Sequence, residues 1–308
     1  MSLKLLIDTD PGVDDALAIL MAYRQAEPTA LTIAAGNVGL RHTVGNALRL
    51  VELVGAQTPV FAGCAGPLVL PAADAAFVHG ADGFGDTGYD APTRQAETEH
   101  AALAMIRLSH AHAGALVLVA LGPLTNLALA LRLDPSLPER ISRLVIMGGA
   151  VNGRGNTERV PSEFNIGFDP EAAHVVFSSW PSFELVDWEA TLGHGLAYAD
   201  LERWLQADSP RARFYAAISR RTRSWARAHG RPRLLTADAL AMAVAVEPGI
   251  VTAAAEHHVG IEMNGQLTRG ATVVDWEDRF GRPANARIVL GVDQARFEQL
   301  VRAALGAE

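Results

Sequence analysis

The chain has 308 residues, 34 acidic against 26 basic side chains, a formal charge of −8 and 49% hydrophobic content. That length supports one large α/β domain or two small ones, and the acidity argues against a general nucleic-acid binder. A single cysteine, Cys64, excludes an intrachain disulfide framework and fits a reducing cytosol; it reads as a small packed residue, not a nucleophile.

The start, Met1-Ser2-Leu3-Lys4, runs directly into an apolar strand without a signal-peptide pattern. Lys4 to Ile7 reads as a short buried strand, broken by Pro11-Gly12. Val13, Leu17 and Leu20 recur at helical spacing, so a helix begins near Val13. Between the two lie four carboxylates. Asp8 and Asp10 are two apart, so an extended chain points them the same way. Asp14 and Asp15 are adjacent on a first helical turn and diverge by about 100°. One can face a bound ion while the other faces a ligand. Helix capping accounts for Asp14 and Asp15, but not for Asp8 and Asp10 at the strand end. A strand-end cluster of hard oxygen donors suits Ca²⁺ or Mg²⁺.

Thr29 to Ala35 is the next strand, ending in Gly36-Asn37-Val38-Gly39, followed by a helix from about Thr43 to Val54. Pro59 to Ala62 is a third short strand. Strands alternating with helices predict βαβ units and a mainly parallel sheet, flanked by helices, in one α/β domain over residues 1–308. Ligands bind such sheets at the carboxyl ends of the strands, where Asp10 and Asn37 both sit. Pro71 to Pro92 reads as irregular, and His79 within it is either a solvated loop histidine or a polar group over the ligand.

Ala101 to Ala113 is a helix and Leu116 to Leu121 a strand, followed by Gly122-Pro123-Leu124-Thr125-Asn126 and a further helix. The apolar run Ala115 to Leu133 is thereby interrupted and is not a membrane span. Arg143 to Met147 is a strand leaving through Gly148-Gly149. Asn152 to Asn165 is a polar loop ending in Glu163-Phe164-Asn165. Asp169 caps a helix that begins at Pro170. Phe183 to Val186 is a strand, and Leu196 to His229 is helical and basic. With aromatics interleaved, such a segment resembles a nucleic-acid contact. In an acidic chain it reads instead as a surface or subunit-contact helix. Thr236 opens a helix carrying Asp238 near its N-terminus, and strands, hairpins and a helix from Gln294 to Leu305 complete the chain.

The ordered set Asp8-Thr9-Asp10-Pro11-Gly12-Val13-Asp14-Asp15, Gly36-Asn37, Gly122-Pro123-Leu124-Thr125-Asn126, Met147-Gly148-Gly149, Glu163-Phe164-Asn165, Asp169-Pro170-Glu171 and Asp238 resembles the inosine/uridine-preferring nucleoside hydrolases. The resemblance implies a Rossmann-like nucleoside hydrolase fold, a cytoplasmic enzyme and hydrolysis of a ribonucleoside to ribose and free base. It implies Ca²⁺ held by Asp10, Asp15, Asp238 and the Leu121 carbonyl, with Asp10 as the general base for water. Asp14 and Asn37 would assist the sugar diol, Asn156, Glu163 and Asn165 the 5′ side, and Met147 would pack near the ribose. His79, His229 and Trp225 are candidates for the leaving-base side. A homodimer or homotetramer is implied, with no nucleic-acid or membrane partner.

The chain departs from the family pattern in three places, one of them the stretch Asn156 to Glu163, which is about one residue longer than usual. Ala237 stands where many relatives carry the histidine thought to protonate the base, and Glu189-Ala190-Thr191-Leu192 lacks another. That loss raises a second expectation, a Ca²⁺-dependent ribonucleoside or ribose binding protein with weakened catalysis. A phosphatase of the Asp-x-Asp type would need a supporting Lys and Ser/Thr at later strand ends, and this sequence shows no convincing set. Base preference stays open.

Overall fold

The computed structural model describes residues 3–307. Strand β1 (Lys4–Thr9) leads into helix α1 (Val13–Gln25), followed by β2 (Ala30–Ile33), α2 (Leu40–Leu53) and β3 (Val60–Ala62). A one-turn helix α3 (Ala76–His79) interrupts the segment read as irregular. Next come α4 (Ala101–Ala111), β4 (Leu116–Ala120), α5 (Thr125–Leu133), β5 (Ile141–Met147), α6 (Phe164–Phe168), α7 (Pro170–Ser179) and β6 (Phe183–Val186). The basic region holds α8 (Trp188–Gly193), α9 (Tyr198–Trp204) and α10 (Pro210–Ala228). The chain closes with α11 (Ala237–Val246), β7 (Val251–His257), β8 (Val259–Ile261), β9 (Thr272–Val274), β10 (Ala286–Val292) and α12 (Gln294–Leu305).

Eight strands form one sheet in the order β3-β2-β1-β4-β5-β6-β10-β7, parallel except for β7, which runs antiparallel on β10. β8 and β9 form a separate antiparallel pair. The helices cover both faces. Leu5 and Ile7 pack toward α1, α10, α11 and α12, whereas Leu6, Leu116 and Leu118 pack toward α4, α5 and α7. This alternation is the period of two expected of strands buried on both sides. The strand order reverses direction between β1 and β4, which opens a crevice at their carboxyl ends.

Two elements differ from the sequence reading. The helical run from Leu196 to His229 is split, because Ser209 caps α10 through the Arg211 amide and Pro210 occupies its first position. Helix α2 begins three residues before Thr43, where the Gly39 carbonyl accepts from the His42 and Thr43 amides. Within the basic helix, Arg213, Arg221 and Arg227 pair with Asp208, Asp86 and Glu202.

Candidate active site

The end of strand β1 separates Asp8 from Asp10. β1 continues to Thr9, so Asp8 faces the α4/α5 side, in register with Thr32 and Ala120. There it accepts from Thr32 Oγ1 at 2.9 Å and Asn126 Nδ2 at 3.0 Å. Asp8 is fully buried, and burial pushes its carboxyl up to about 7. The expectation that Asp8 and Asp10 point the same way fails because the strand ends before Asp10 and Pro11-Gly12 turn the chain.

Asp10 sits over the sheet edge. Its Oδ2 accepts from the Asn37 amide at 2.6 Å. Two glycines make room for it: a Cβ at Gly36 would lie 2.1 Å from Asp10 Oδ2, and one at Gly122 would lie 2.3 Å from Oδ1. Thus the loops after β2 and β4 clamp the carboxylate that follows β1, and only hydrogen fits at both positions.

Asp15 points back into α1's own N-terminus. It accepts from Thr9 Oγ1 at 2.5 Å, the Gly12 amide at 2.9 Å and Asn37 Nδ2 at 3.0 Å. Asp14 diverges from it and borders a cavity at the carboxyl ends of the strands. Carboxylate oxygens of Asp14, Asp15 and Asp238 all lie within 4.8 Å of one another. Asp14 rests where α1 and α11 meet, and the amides of Asp14, Asp15, Ala237 and Asp238 favour its charged form. Converging helix N-termini are a natural place for negative charge.

Even so, every member of the group binds protons too tightly for an ordinary carboxylate. Burial is the first cause throughout. It brings Asp14 to about 6 and raises Asp10, Asp15 and Asp238, and the mutual repulsion of these residues adds to it. This donor set fits a hard divalent cation: it is all oxygen, it is over-supplied with negative charge, and its spacing is spanned by ion–oxygen bonds of about 2.4 Å. Asp14 thereby stands with Asp15 and Asp238 in this group, whereas Asp10, expected there from the sequence, is not among the carboxylates that converge within that distance.

A cavity of about 290 Å³ opens over the cluster. Asp14, Asn37, His79, Leu121, Met147, Asn156, Glu163, Asn165, Trp225 and Asp238 all border it, so these sequence candidates share one site. His79 lies on α3, where its Nδ1 accepts from the Val13 amide at 3.1 Å. Burial lowers it to about 4, so the ring is neutral, with its proton on Nε2. Asn165 Nδ2 donates to the Leu121 carbonyl at 2.6 Å and the Met147 carbonyl at 3.2 Å, tying α6 to the ends of β4 and β5. Glu163 accepts from the amides of Gly149 and Ile166, and burial pushes it up to about 7. Asn156 Oδ1 accepts from the Phe164 amide at 2.8 Å.

The opposite wall is aromatic. Phe77, Trp188, Tyr215, Arg231, Leu234 and Leu235 border the cavity, and sequence reasoning missed all of them. The Trp225 ring meets Phe77 edge-on at 5.9 Å. His229 stacks on Trp225 at 4.3 Å but is exposed and lies outside the cavity lining. The Arg231 guanidinium sits 5.9 Å from the Trp188 ring centre. Thr222 Oγ1 donates to the Val78 carbonyl and Arg221 pairs with Asp86, so α10 holds the His79 segment in place. Cys64, half-buried with its thiol pushed up to about 11 by burial, is no nucleophile.

Residues 5–299 match the family model described as inosine-uridine preferring nucleoside hydrolase. The chain is 38% identical over 303 residues to the non-specific ribonucleoside hydrolase RihC of Klebsiella pneumoniae, covering 97% of each chain. It is 37% identical to the RihC of Salmonella paratyphi B, covering 97% of this chain and 96% of that one. Among solved structures, an inosine-guanosine nucleoside hydrolase superposes with a TM-score of 0.90 at 33% identity, with 99% of each chain covered. The plant nucleoside hydrolase PpNRh1 gives 0.92 at 32% identity over the whole of both chains. This chain therefore belongs to the inosine-uridine preferring nucleoside hydrolase family and is a hydrolase of N-glycosyl compounds.

Proposed function

We propose that this chain hydrolyses the N-glycosidic bond of a ribonucleoside in a Ca²⁺-dependent reaction, with Asp10 as general base. The observation that carries the reading is the juxtaposition of a buried carboxylate cluster with a cavity polar at one end and aromatic at the other. Asp10, Asp15, Asp238 and the Leu121 carbonyl would hold the ion, with Asp14 beside them. When bound, Ca²⁺ fixes the sugar's vicinal diol and makes a neighbouring water more acidic.

The sugar lies over Met147, with its diol on Asp14 and on Asn37 Oδ1, because the Asn37 side-chain N–H groups are already spent on Asp10 and Asp15. Glu163, Asn156 and Asn165 face the 5′ side. As the C1′–N bond lengthens, positive charge grows on the sugar. The surrounding carboxylates stabilise that charge without having to reorganise. Asp10 takes a proton from the attacking water, whose oxygen bonds to C1′ while the bonding electron pair leaves with the base.

The base enters the aromatic end between Trp188, Trp225 and Phe77. Ala237 offers no proton there. Arg231 is the cation that borders this end, and its guanidinium stabilises negative charge on the departing ring. The indole walls favour the larger face of a purine. His79, as a neutral Nε2–H donor, orients substrate but does not act as an acid.

Among the described residues no helix is long and apolar enough to cross a membrane. A cytoplasmic homodimer or homotetramer completes the reading, and light scattering checks the assembly. The decisive test is a panel of inosine, adenosine, guanosine, xanthosine, uridine and cytidine, with and without chelator, on the wild type and Asp10→Asn. Base release that needs Ca²⁺ and falls about 10²- to 10⁴-fold in the variant is the expected result. Unchanged turnover in Asp10→Asn overturns the role of Asp10. Nucleoside binding without base release favours a binding protein.

A further inference from the structure

Around the sugar end, hydrogen-bond donors are scarce. The Asn37 amide gives its protons to Asp10 and Asp15, and the Asn165 amide gives its own to Leu121 and Met147. Of the other polar groups, the ionised carboxylates only accept, and the donors left are His79 Nε2–H and the Asn156 side-chain amide. Yet a sugar hydroxyl that donates its one proton to a carboxylate still presents lone pairs, and in a dry site these need a donor.

Tyr215 supplies one. It lies on the inward face of α10, is fully buried and borders the cavity. Its hydroxyl is buried without a hydrogen-bond partner among the described residues. A buried hydroxyl left unpaired is costly and calls for a partner from outside the chain. After burial, the largest influence on this phenol is the nearby charge of Asp14; Arg223 on the same helix opposes it and Asp238 adds a smaller push, and the net effect keeps its proton on. Thr236 Oγ1, at the start of α11, is likewise buried, unpaired and on the cavity wall, so the wall carries two uncommitted hydroxyls.

We propose that Tyr215 is a positioning and specificity residue whose hydroxyl donates to the ribose hydroxyl seated on Asp14. The inference rests on the reading that Asp14 receives the sugar diol. It makes the site discriminate ribose from deoxyribose by a neutral donor as well as by the cation.

The test is Tyr215→Phe, which removes one oxygen and keeps the packing. The probes are the ribonucleoside turned over fastest and its 2′- and 3′-deoxy counterparts, measured as substrates and as competitors, together with melting in chelator. The expected result is a fall of about tenfold in kcat/KM on the ribonucleoside, the worth of one hydrogen bond. At least one deoxy counterpart should change less than twofold, which narrows the discrimination. The chelated variant should melt at or above the wild-type temperature, because the hydroxyl has no partner in the free protein. An equal fall on all three sugars, no fall on the ribonucleoside, or a lower melting temperature overturns the proposal. A wild type that releases no base overturns the functional reading and this one with it. An active wild type with an indifferent variant overturns only the role of Tyr215.

Discussion

Glu163→Gln probes the electrostatics of the sugar end without touching the acidic cluster. Burial is the main reason the carboxyl sits near 7 and not at 4.5, against the lowering effect of the Asn165, Gly149 and Ile166 amides and with a small upward push from Asp187. A rise from 4.5 to about 7 corresponds to about 3 kcal/mol of folding stability. The sign follows from which state ionises more easily. Below pH 4.5 the carboxyl is protonated in both states and its full contribution is present. As the pH rises toward 7, the unfolded chain ionises freely while the folded chain resists, and that stability is lost. Glutamine keeps the size and one acceptor oxygen for Gly149 and Ile166 but does not titrate. Urea denaturation in chelator from about pH 4 to about pH 8.5 should therefore show Glu163→Gln gaining about 3 kcal/mol on the wild type across the window. Parallel stability curves would mean that Glu163 ionises in the fold as readily as in water, and the account of this end of the site would be wrong.

Two further outcomes test the remaining parts of the site. Gly122→Ala places a methyl 2.3 Å from Asp10 Oδ1, so the carboxylate must swing away; kcat should fall at least about tenfold with the circular dichroism spectrum unchanged, and full activity would show that Asp10 tolerates displacement. Arg231→Met should slow release of a natural base about tenfold yet leave p-nitrophenyl riboside, whose leaving group needs no help, within about twofold. Equal losses on both substrates would place Arg231 outside leaving-group stabilisation.

The acidic half of the site was legible because it follows local rules. A strand broken by Pro11-Gly12 and a helix opening on Asp14-Asp15 announce themselves in a dozen residues, and strand–helix alternation places Asn37 and Leu121 at the same sheet edge. Asp8 misled because parity depends on where a strand stops, and β1 runs two residues past Ile7. The aromatic half was hidden for a different reason. Trp188, Tyr215 and Arg231 come from α8, α10 and the segment before α11, and only the packing of these elements brings them to one wall. Trp188 alone carried a signal, since it follows a strand end as Asp10 and Asn37 do. The break at Ser209-Pro210 was also legible, as a cap followed by a proline at the first helical position, but the long apolar and basic periodicity on either side masked it.

The two halves explain each other energetically. A fold that buries Asp10, Asp14, Asp15 and Asp238 together has already spent its compensating groups: the N-termini of α1 and α11, the Asn37 amide and the Thr9 hydroxyl. What these leave is a set of carboxylates that repel one another and hold protons too strongly, and a wall where two hydroxyls lack partners. In the proposed reaction each deficit has its own remedy: a cation relieves the first, and a sugar hydroxyl reaching the wall relieves the second. On that reading, a substitution that relieves either deficit in the free protein stabilises it and is expected to weaken sugar recognition.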